Sequence, residues 1–498
     1  MQVCPPREHQ LSLRKLLPEA NFVAADDINV RGCSCDSRTV RPGELFVAIR
    51  GSTFDGHDFA QEAIARGCAA ILAQRPISAT GCPICYVPNT RGVYSRLCQA
   101  LAGDPSRRMK VIGITGTNGK TTTTYLTASV LAVAGNNVGV LGTLGCFDGL
   151  EMLPSTMTTP PPPELALRLA RMVANGCSHA VMEVSSHALD QSRVAGIALD
   201  AACVTNVRRD HLDYHGSLLD YRRAKSRLFG HLAPEGFAVL NADDPTSVGY
   251  LSQIDGPVLT VGIRSSAEIM ATLVEQHLSE QTFLLTAGSE TMPVRTRMIG
   301  VHHVYNCLSA AAIGLAYGID LATVARGLEA VEHLPGRLER IECGQPFGVF
   351  VDFAHTPDAL AGSLQTLRGL VEGRLICVFG AGGDRDRQKR PLMARAVESH
   401  ADLVIVTNDN PRTEDPQAIL ADLVSGLEQP DAARIIPDRA EAIACGLGEA
   451  QPGDCVLIAG KGHETYQIVG HERVPFDDRE VARQWLYEFQ PFAVASGQ

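Results

Sequence analysis

The chain has 498 residues, 45% of them hydrophobic and 20% charged, with a net charge of −11. That length exceeds one ordinary hydrophobic core, and that composition excludes a disordered or fibrous protein. The acidic balance argues against a general nucleic-acid or membrane surface, yet leaves room for anionic substrates held by local cations and helix ends.

The opening MQVCPPREHQLSLRKLL carries charges within its apolar stretch, so no secretory segment is expected, and no uncharged apolar run reaches bilayer-spanning length. Fifteen cysteines, an odd number scattered through apolar segments, fit free thiols in reducing surroundings. Cys82 and Cys85 form a CxxC without a second pair or nearby histidines, so no zinc is expected there. The chain reads as cytoplasmic.

Residues 1–102 hold strand-like runs at 44–49 and 69–72 and a helical pattern over 58–67. The cluster Cys35-Asp36-Ser37-Arg38 taken alone is a turn. GDPSRR at 103–108 breaks the pattern and marks a domain boundary. Residues 1–106, 107–335 and 336–498 are the three expected domains.

The most informative stretch is VIGITGTNGKTTTT, 111–124. A short apolar strand, a glycine loop, a lysine and a helical pattern follow one another, which is an arrangement that cradles phosphate. Glycines turn backbone N–H groups toward an anion, Lys120 reaches the outer phosphates and the Thr121 hydroxyl suits Mg²⁺. The general P-loop pattern would put glycine at position 114, where this chain has Ile114; its first loop glycine is Gly116. ATP or GTP is the expected ligand.

Further along, 138–143 is strand-like, and Met157, Thr158 and Thr159 precede four prolines that force extended backbone. Leu165, Leu169 and Val173 then repeat at helical spacing. HAVMEV, 179–184, is a strand ending near Glu183, a carboxylate placed either to serve a metal or simply to face solvent. Another strand, 202–206, leads to RRDHLDYHG, where His211 and His215 lack the companions of a zinc set. Lys225, in YRRAKSRLF, reads by itself as a solvated lysine on a basic helix. Residues 237–300 alternate like strands and hairpins, 302–318 are helical, and HLPGR at 333–337 is a linker.

The last segment repeats one unit. Strands at 348–351, 375–379, 403–406 and 456–458 each end in a polar or glycine-rich loop, with helical stretches between. This is the alternation of a doubly wound sheet, whose ligands gather beyond the carboxyl ends of the strands. GAGGD lacks GxGxxG spacing, which disfavours a nicotinamide site.

TGTNGKTTT (115–123), EVSSH (183–187), TNVRRDHLDYHG (205–216), the lysine of YRRAK, VDFAHTPDAL (351–360), GGDRDRQKRP (382–391), DNPRTEDP (409–416) and AGKGHE (459–464) together resemble the Mur ligase family. These motifs cover nearly the whole chain, and the family's variant P-loop accounts for Ile114. The resemblance implies an α/β protein of three domains: an N-terminal uridine-nucleotide domain, a central P-loop ATPase with a mostly parallel sheet, and a C-terminal Rossmann-like domain for an amino acid. It implies ADP-forming addition of meso-2,6-diaminopimelate to UDP-N-acetylmuramoyl-L-alanyl-D-glutamate through an acyl phosphate, by a monomer using ATP and Mg²⁺.

Residue by residue, it implies ATP contacts at Gly116, Thr117, Asn118, Gly119, Lys120, Thr121, Thr122, Asn306, Arg337 and Asp352. Metal contacts would come from Thr121, Glu183, His211 and Lys225, the last as a carbamate, since an ammonium would repel the metal that a carbamate oxygen can bind. Lys120, Glu183, His211 and Lys225 would form the catalytic group. Ser37, Thr158, Thr159, Ser185, Gln191 and Arg193 would hold the uridine substrate. The chain departs from relatives at Met157, where they carry Asn, and in the Ser52-Thr53-Phe54 stretch. Arg385, Asp409, Asn410, Pro411, Arg412, Gly460 and Glu464 would surround diaminopimelate. Arg412 offers a planar fork for the carboxylate that distinguishes diaminopimelate from lysine, and leaving it unpaired should reject lysine by roughly 10³-fold. The alternatives are a lysine-adding relative, a folylpolyglutamate synthase-like ligase, and a P-loop switch that makes no bond.

Overall fold

The computed structural model describes residues 10–51, 53–78 and 81–489; Ser52 lies outside them. Three sheets of five or more strands follow one another along the described residues. The first has five strands in the order Asn21–Val23, Ile84–Tyr86, Ala70–Ala73, Leu45–Val47, Cys33–Ser34, parallel except for the first. The helical pattern at 58–67 resolves into a 3₁₀ turn, Gly56–Phe59, started by the Asp55 side chain, and a helix, Ala60–Ala65.

The second sheet has eleven strands. Its parallel heart runs Val138–Gly142, His179–Glu183, Lys110–Thr115, Leu199–Val204, Leu232–Asn241, Val258–Gly262. Antiparallel Gly145–Phe147 extends one end; at the other, Ile269–Gln276 joins parallel to Val258–Gly262 and continues into the antiparallel pairs with Gln281–Ala287 and Glu290–Thr296 expected from the alternation. Strands buried on both faces need apolar residues in unbroken runs, which is why VIGIT and HAVME do not alternate. On one face helix Lys120–Val133 packs under Val301–Ala316 and Leu321–Glu329, burying Leu126, Val130, Leu308 and Val324 completely. On the other, helix Pro162–Ala174 buries Leu165, Leu169 and Met172. Each such side chain contributes about 1.5–3 kcal/mol when withdrawn from water.

The third sheet, Glu339–Arg340, Gly348–Asp352, Cys455–Ala459, Leu375–Phe379, Leu403–Val406, Arg434–Ile435, is parallel beyond its first strand. The architecture is therefore α/β with largely parallel sheets. In both larger sheets the polar loops leave the carboxyl ends of the strands, and those two edges face one another.

Candidate active site

Strand Lys110–Thr115 lies between His179–Glu183 and Leu199–Val204, with Ile114 opposite Glu183 and Thr115 opposite Val204. The loop between this strand and its helix therefore opens beside Glu183. Gly119 caps the helix at φ 85°, and a Cβ there would stand 2.3 Å from Asn306 Oδ1. Only glycine serves this position, on grounds of both conformation and space. The Lys120 ammonium folds back onto the loop, donating to the carbonyls of Gly116 (3.0 Å) and Thr117 (2.9 Å).

The Thr121 hydroxyl donates to Glu183 Oε2 at 3.1 Å and accepts from Arg337 Nη2 at 2.9 Å. Glu183 is fully buried rather than a solvent-facing strand end, and Thr143 gives it two more bonds, from its N–H at 2.8 Å and its hydroxyl at 3.1 Å. Lys225 is likewise no solvated lysine. It is 1% exposed, its Nζ 2.6 Å from the Gly116 carbonyl and 4.7 Å from the Tyr221 ring centre. Burial and the nearby Lys120 charge push its amine well below the ordinary lysine range. Burial also lowers Lys120 and Arg337, against the pull of Glu183.

Beside these groups, His211 sits in left-handed backbone (φ 52°), with its ring 4.8 Å from that of His187. Burial holds both imidazoles neutral, His187 near pKa 4. His211 and His215 are brought close to His187 but make no metal set. Among the described residues no group of three or more His, Cys, Asp or Glu side chains could hold a metal by itself, and Cys82 faces Cys68 (3.9 Å) rather than a zinc companion.

Across the cleft, Arg412 also adopts a left-handed conformation (φ 54°), and its Nη1 rests on the Gly383 carbonyl at 2.7 Å. Burial and the neighbouring Arg385 lower its pKa. The Asn410 side chain donates to Glu464 Oε2 (2.8 Å), and buried Lys461 bonds both Asn410 Oδ1 and Glu464 Oε2 at 3.1 Å. A Cβ on Gly460 would meet Asp409 Oδ2 at 2.6 Å.

One cleft of about 840 Å³ is lined from both sides. Thr117 to Thr122, Glu183, His211, Lys225 and Asn306 come from the second sheet; Asp352, Arg385, Asp409, Asn410, Arg412, Gly460 and Glu464 come from the third, with Arg337 just ahead of it. Of the six residues expected at the uridine substrate, Thr158 and Ser185 line it. Thr159, Gln191 and Arg193 stand behind them. Thr159 Oγ1 bonds the Glu183 carbonyl (2.9 Å), Arg193 donates to the Thr159 carbonyl (2.8 Å) and to Gln191 Oε1 (2.8 Å). Ser37 is remote, in the first sheet's layer, donating to Glu62 at 2.8 Å. Gly116 and Pro411 also do not line the cleft; Gly116 offers its carbonyl to the two lysines, and Pro411 packs on Gly383.

Three family profiles match in succession: the Mur ligase family catalytic domain over 29–105, the Mur ligase middle domain over 114–314, and the Mur ligase glutamate ligase domain over 336–462. The chain belongs to the Mur ligase family. It is 46% identical over 460 residues to the UDP-N-acetylmuramoyl-L-alanyl-D-glutamate–2,6-diaminopimelate ligase of Geobacillus thermodenitrificans, covering 91% of this chain and 94% of that one. The enzyme of the same name from Geobacillus kaustophilus matches at 46% over the same shares. A solved structure of a ligase of that name superposes with a TM-score of 0.67 at 33% identity, over 96% of this chain and 99% of the other.

This Mur ligase also brings in residues that motif reading did not single out. Asp210 lies 4.0 Å from Lys389 of the third sheet's layer, an ion pair that bridges the cleft, and Arg209 reaches Gln388 (3.2 Å) beside it. Tyr221 OH shares a hydrogen bond with Thr117 Oγ1 (3.0 Å). All sit inside or next to quoted motifs, but only the folded chain shows that they meet.

Proposed function

We propose that this Mur ligase joins meso-diaminopimelate to the D-glutamyl γ-carboxylate of UDP-N-acetylmuramoyl-L-alanyl-D-glutamate, with ATP converted to ADP and phosphate. The observation that carries the reading is that Lys120 and Arg412 line the same cleft. A carboxylate is a poor electrophile. Its oxygen attacks the γ-phosphorus of ATP, ADP leaves, and the resulting acyl phosphate is attacked by the amine, which loses a proton as phosphate departs. Gly116 to Thr122 with Asn306, Arg337 and Asp352 hold the nucleotide. Lys120 lies where negative charge gathers during phosphoryl transfer.

The donor set suits Mg²⁺. Glu183 and the Thr121 hydroxyl are adjacent oxygens, and an ion that keeps waters and phosphate oxygens needs few protein ligands. Bound there, Mg²⁺ would neutralise phosphate charge. Neutral His211 is assigned to a second ion. Burial and Lys120 lower the pKa of the Lys225 amine, which favours the unprotonated form that adds carbon dioxide and loses one proton to become a carbamate, so Lys225 is assigned that modification. Thr159, Ser185, Gln191 and Arg193 are joined by hydrogen bonds and, with Thr158 beside them, are assigned to the uridine substrate, with Ser37 serving it from the first domain. Arg385, Asp409, Asn410, Pro411, Arg412, Gly460 and Glu464 form the diaminopimelate end. Domain limits are assigned at 1–106, 107–335 and 336–498, each segment carrying one of those three sheets. The enzyme is assigned to the cytoplasm as a monomer; no helix among the described residues is long and apolar enough to cross a membrane.

Incubation with ATP, Mg²⁺, the uridine dipeptide and a panel of diamino acids tests the reading. Phosphate should appear only when the dipeptide and diaminopimelate are both present. Equal rates with L-lysine would remove the specificity assignment, and hydrolysis without either substrate would favour a switch.

A further inference from the structure

The two arginines that face the amino-acid end of the cleft are both seated on one short piece of backbone. Arg412 Nη1 rests on the Gly383 carbonyl (2.7 Å), and Arg385 Nη1 on the Asp384 carbonyl (2.9 Å). Like charges placed side by side separate unless their seats are fixed. The seat is fixed from behind. Glu414 accepts the Asp384 N–H at 2.5 Å through Oε1, and takes both Nη groups of Arg390 at 2.9 and 3.1 Å, and Arg387 Nη2 at 2.8 Å. Arg390 is fully buried and extends the brace to the Gly382 carbonyl (3.2 Å) and Asp422 (2.8 Å). The Asp384 carboxylate in turn accepts from the Thr413 hydroxyl at 2.9 Å.

The two loops touch backbone to backbone. A Cβ on Gly383 would fall 1.9 Å from the Pro411 carbonyl oxygen, and Gly383 N–H donates to the Asn410 carbonyl at 2.9 Å. Asp384 (φ 51°) and Arg412 (φ 54°) both hold the left-handed conformation that non-glycine residues adopt only where surroundings impose it.

We propose that Glu414, which does not line the cleft, is the positioning residue that aims the Arg385 and Arg412 guanidiniums at the carboxylates of the incoming amino acid. It holds the 383–384 backbone with charge-assisted bonds and anchors it to buried Arg390, so the fork is preorganised and little rotamer entropy is lost on binding. The proposal rests on the diaminopimelate reading above.

Glu414→Ala, Glu414→Gln and, alongside, Arg412→Ala test it in the full-length enzyme. Glu414→Ala should raise KM for diaminopimelate roughly tenfold and narrow its preference over L-lysine by a similar factor, leaving KM for ATP and for the uridine dipeptide within about twofold. Glu414→Gln keeps a neutral acceptor of the same shape, folds more readily, and should fall between. An unchanged diaminopimelate KM in folded Glu414→Gln and Glu414→Ala overturns the proposal, as does a common rise of all three KM values tracking a lowered Tm. If Arg412→Ala raises that KM and neither Glu414 variant does, the brace fails and the cleft assignment stands. If none of the three raises it, both fail.

Discussion

The two sides of the cleft solve the problem of holding anions in different ways. On the P-loop side the cations are crowded and poorly neutralised. Lys120 and Lys225 both donate to the one Gly116 carbonyl, Arg337 stands beside them, and Glu183 is already bonded to Thr121 and Thr143. On the side assigned to the amino acid, the charges behind Arg385 and Arg412 are matched. Arg390 is paired with Glu414 and Asp422, Arg439 with Asp478, and Lys461 with Glu464. The first arrangement is short of negative charge, which the triphosphate of the proposed reaction would supply whatever its companions are. The second spends its side chains on fixing two guanidiniums in place, which is what discrimination between similar amino acids demands.

The comparison breaks most visibly at Lys225. Lys225→Ala should cut turnover on the order of 10²–10³-fold while circular dichroism and Tm show an intact fold, since it removes one preorganised charge from the phosphoryl-transfer side. Near-normal phosphate release would end its catalytic assignment. Arg412→Ala probes the other side. Turnover with saturating diaminopimelate should survive better than selectivity, which should fall about 10²-fold or more against L-lysine, because the variant no longer leaves a half-buried guanidinium unpaired beside the wrong substrate. A smaller, one-sided loss is expected for Gly119→Ala. Its Cβ would press on Asn306 in left-handed backbone, raising KM for ATP roughly tenfold without altering amino-acid preference.

The same asymmetry governs what could be read from the sequence. That Lys120, Thr121 and Gly119 would meet was legible because they are consecutive residues of one strand–loop–helix unit, and the position of Glu183 because a strand end is a local signal. The parallel sheet of the third segment was legible from its repeated apolar runs, and strands Leu375–Phe379 and Leu403–Val406 fall where that pattern puts them. Lys225 was not legible from its own surroundings. YRRAKSRLF has the composition of a wet helix, and only packing against residues more than 100 positions away buries it. Glu414 was hidden for the same reason, lying in a quoted motif but bonded to Asp384 and Arg390 from another loop. Ser37 rests on family correspondence alone; its hydroxyl donates to Glu62 within the first sheet's layer.

The smallest effect concerns stability, and it turns the crowding of the P-loop side into a measurable slope. Lys225 has a folded-state pKa pushed down by burial and by Lys120, below the 10.5 of an unfolded lysine. Between the two values the unfolded chain binds the proton that the folded chain rejects, so this residue makes stability rise with pH up to about 10.5. Below its folded pKa the penalty is fully in place. Lys225→Met keeps the apolar stem and removes the titrating group. In carbon dioxide-free buffer, where the amine stays unmodified, the variant should unfold a few degrees higher than the parent at neutral pH, the difference closing as pH approaches 10. Groups not coupled to Lys225 titrate alike in both proteins and cancel in the difference curve, whereas Lys120 and His215 lie close enough to be shifted by its removal. Adding bicarbonate should then raise the Tm of the parent alone, because the carbamate exchanges a buried amine crowded by Lys120 for an anion among cations. A flat difference curve would mean that Lys225 is not the strained cation of this side of the cleft, and the contrast with the charge-matched amino-acid side would lose its sharpest term.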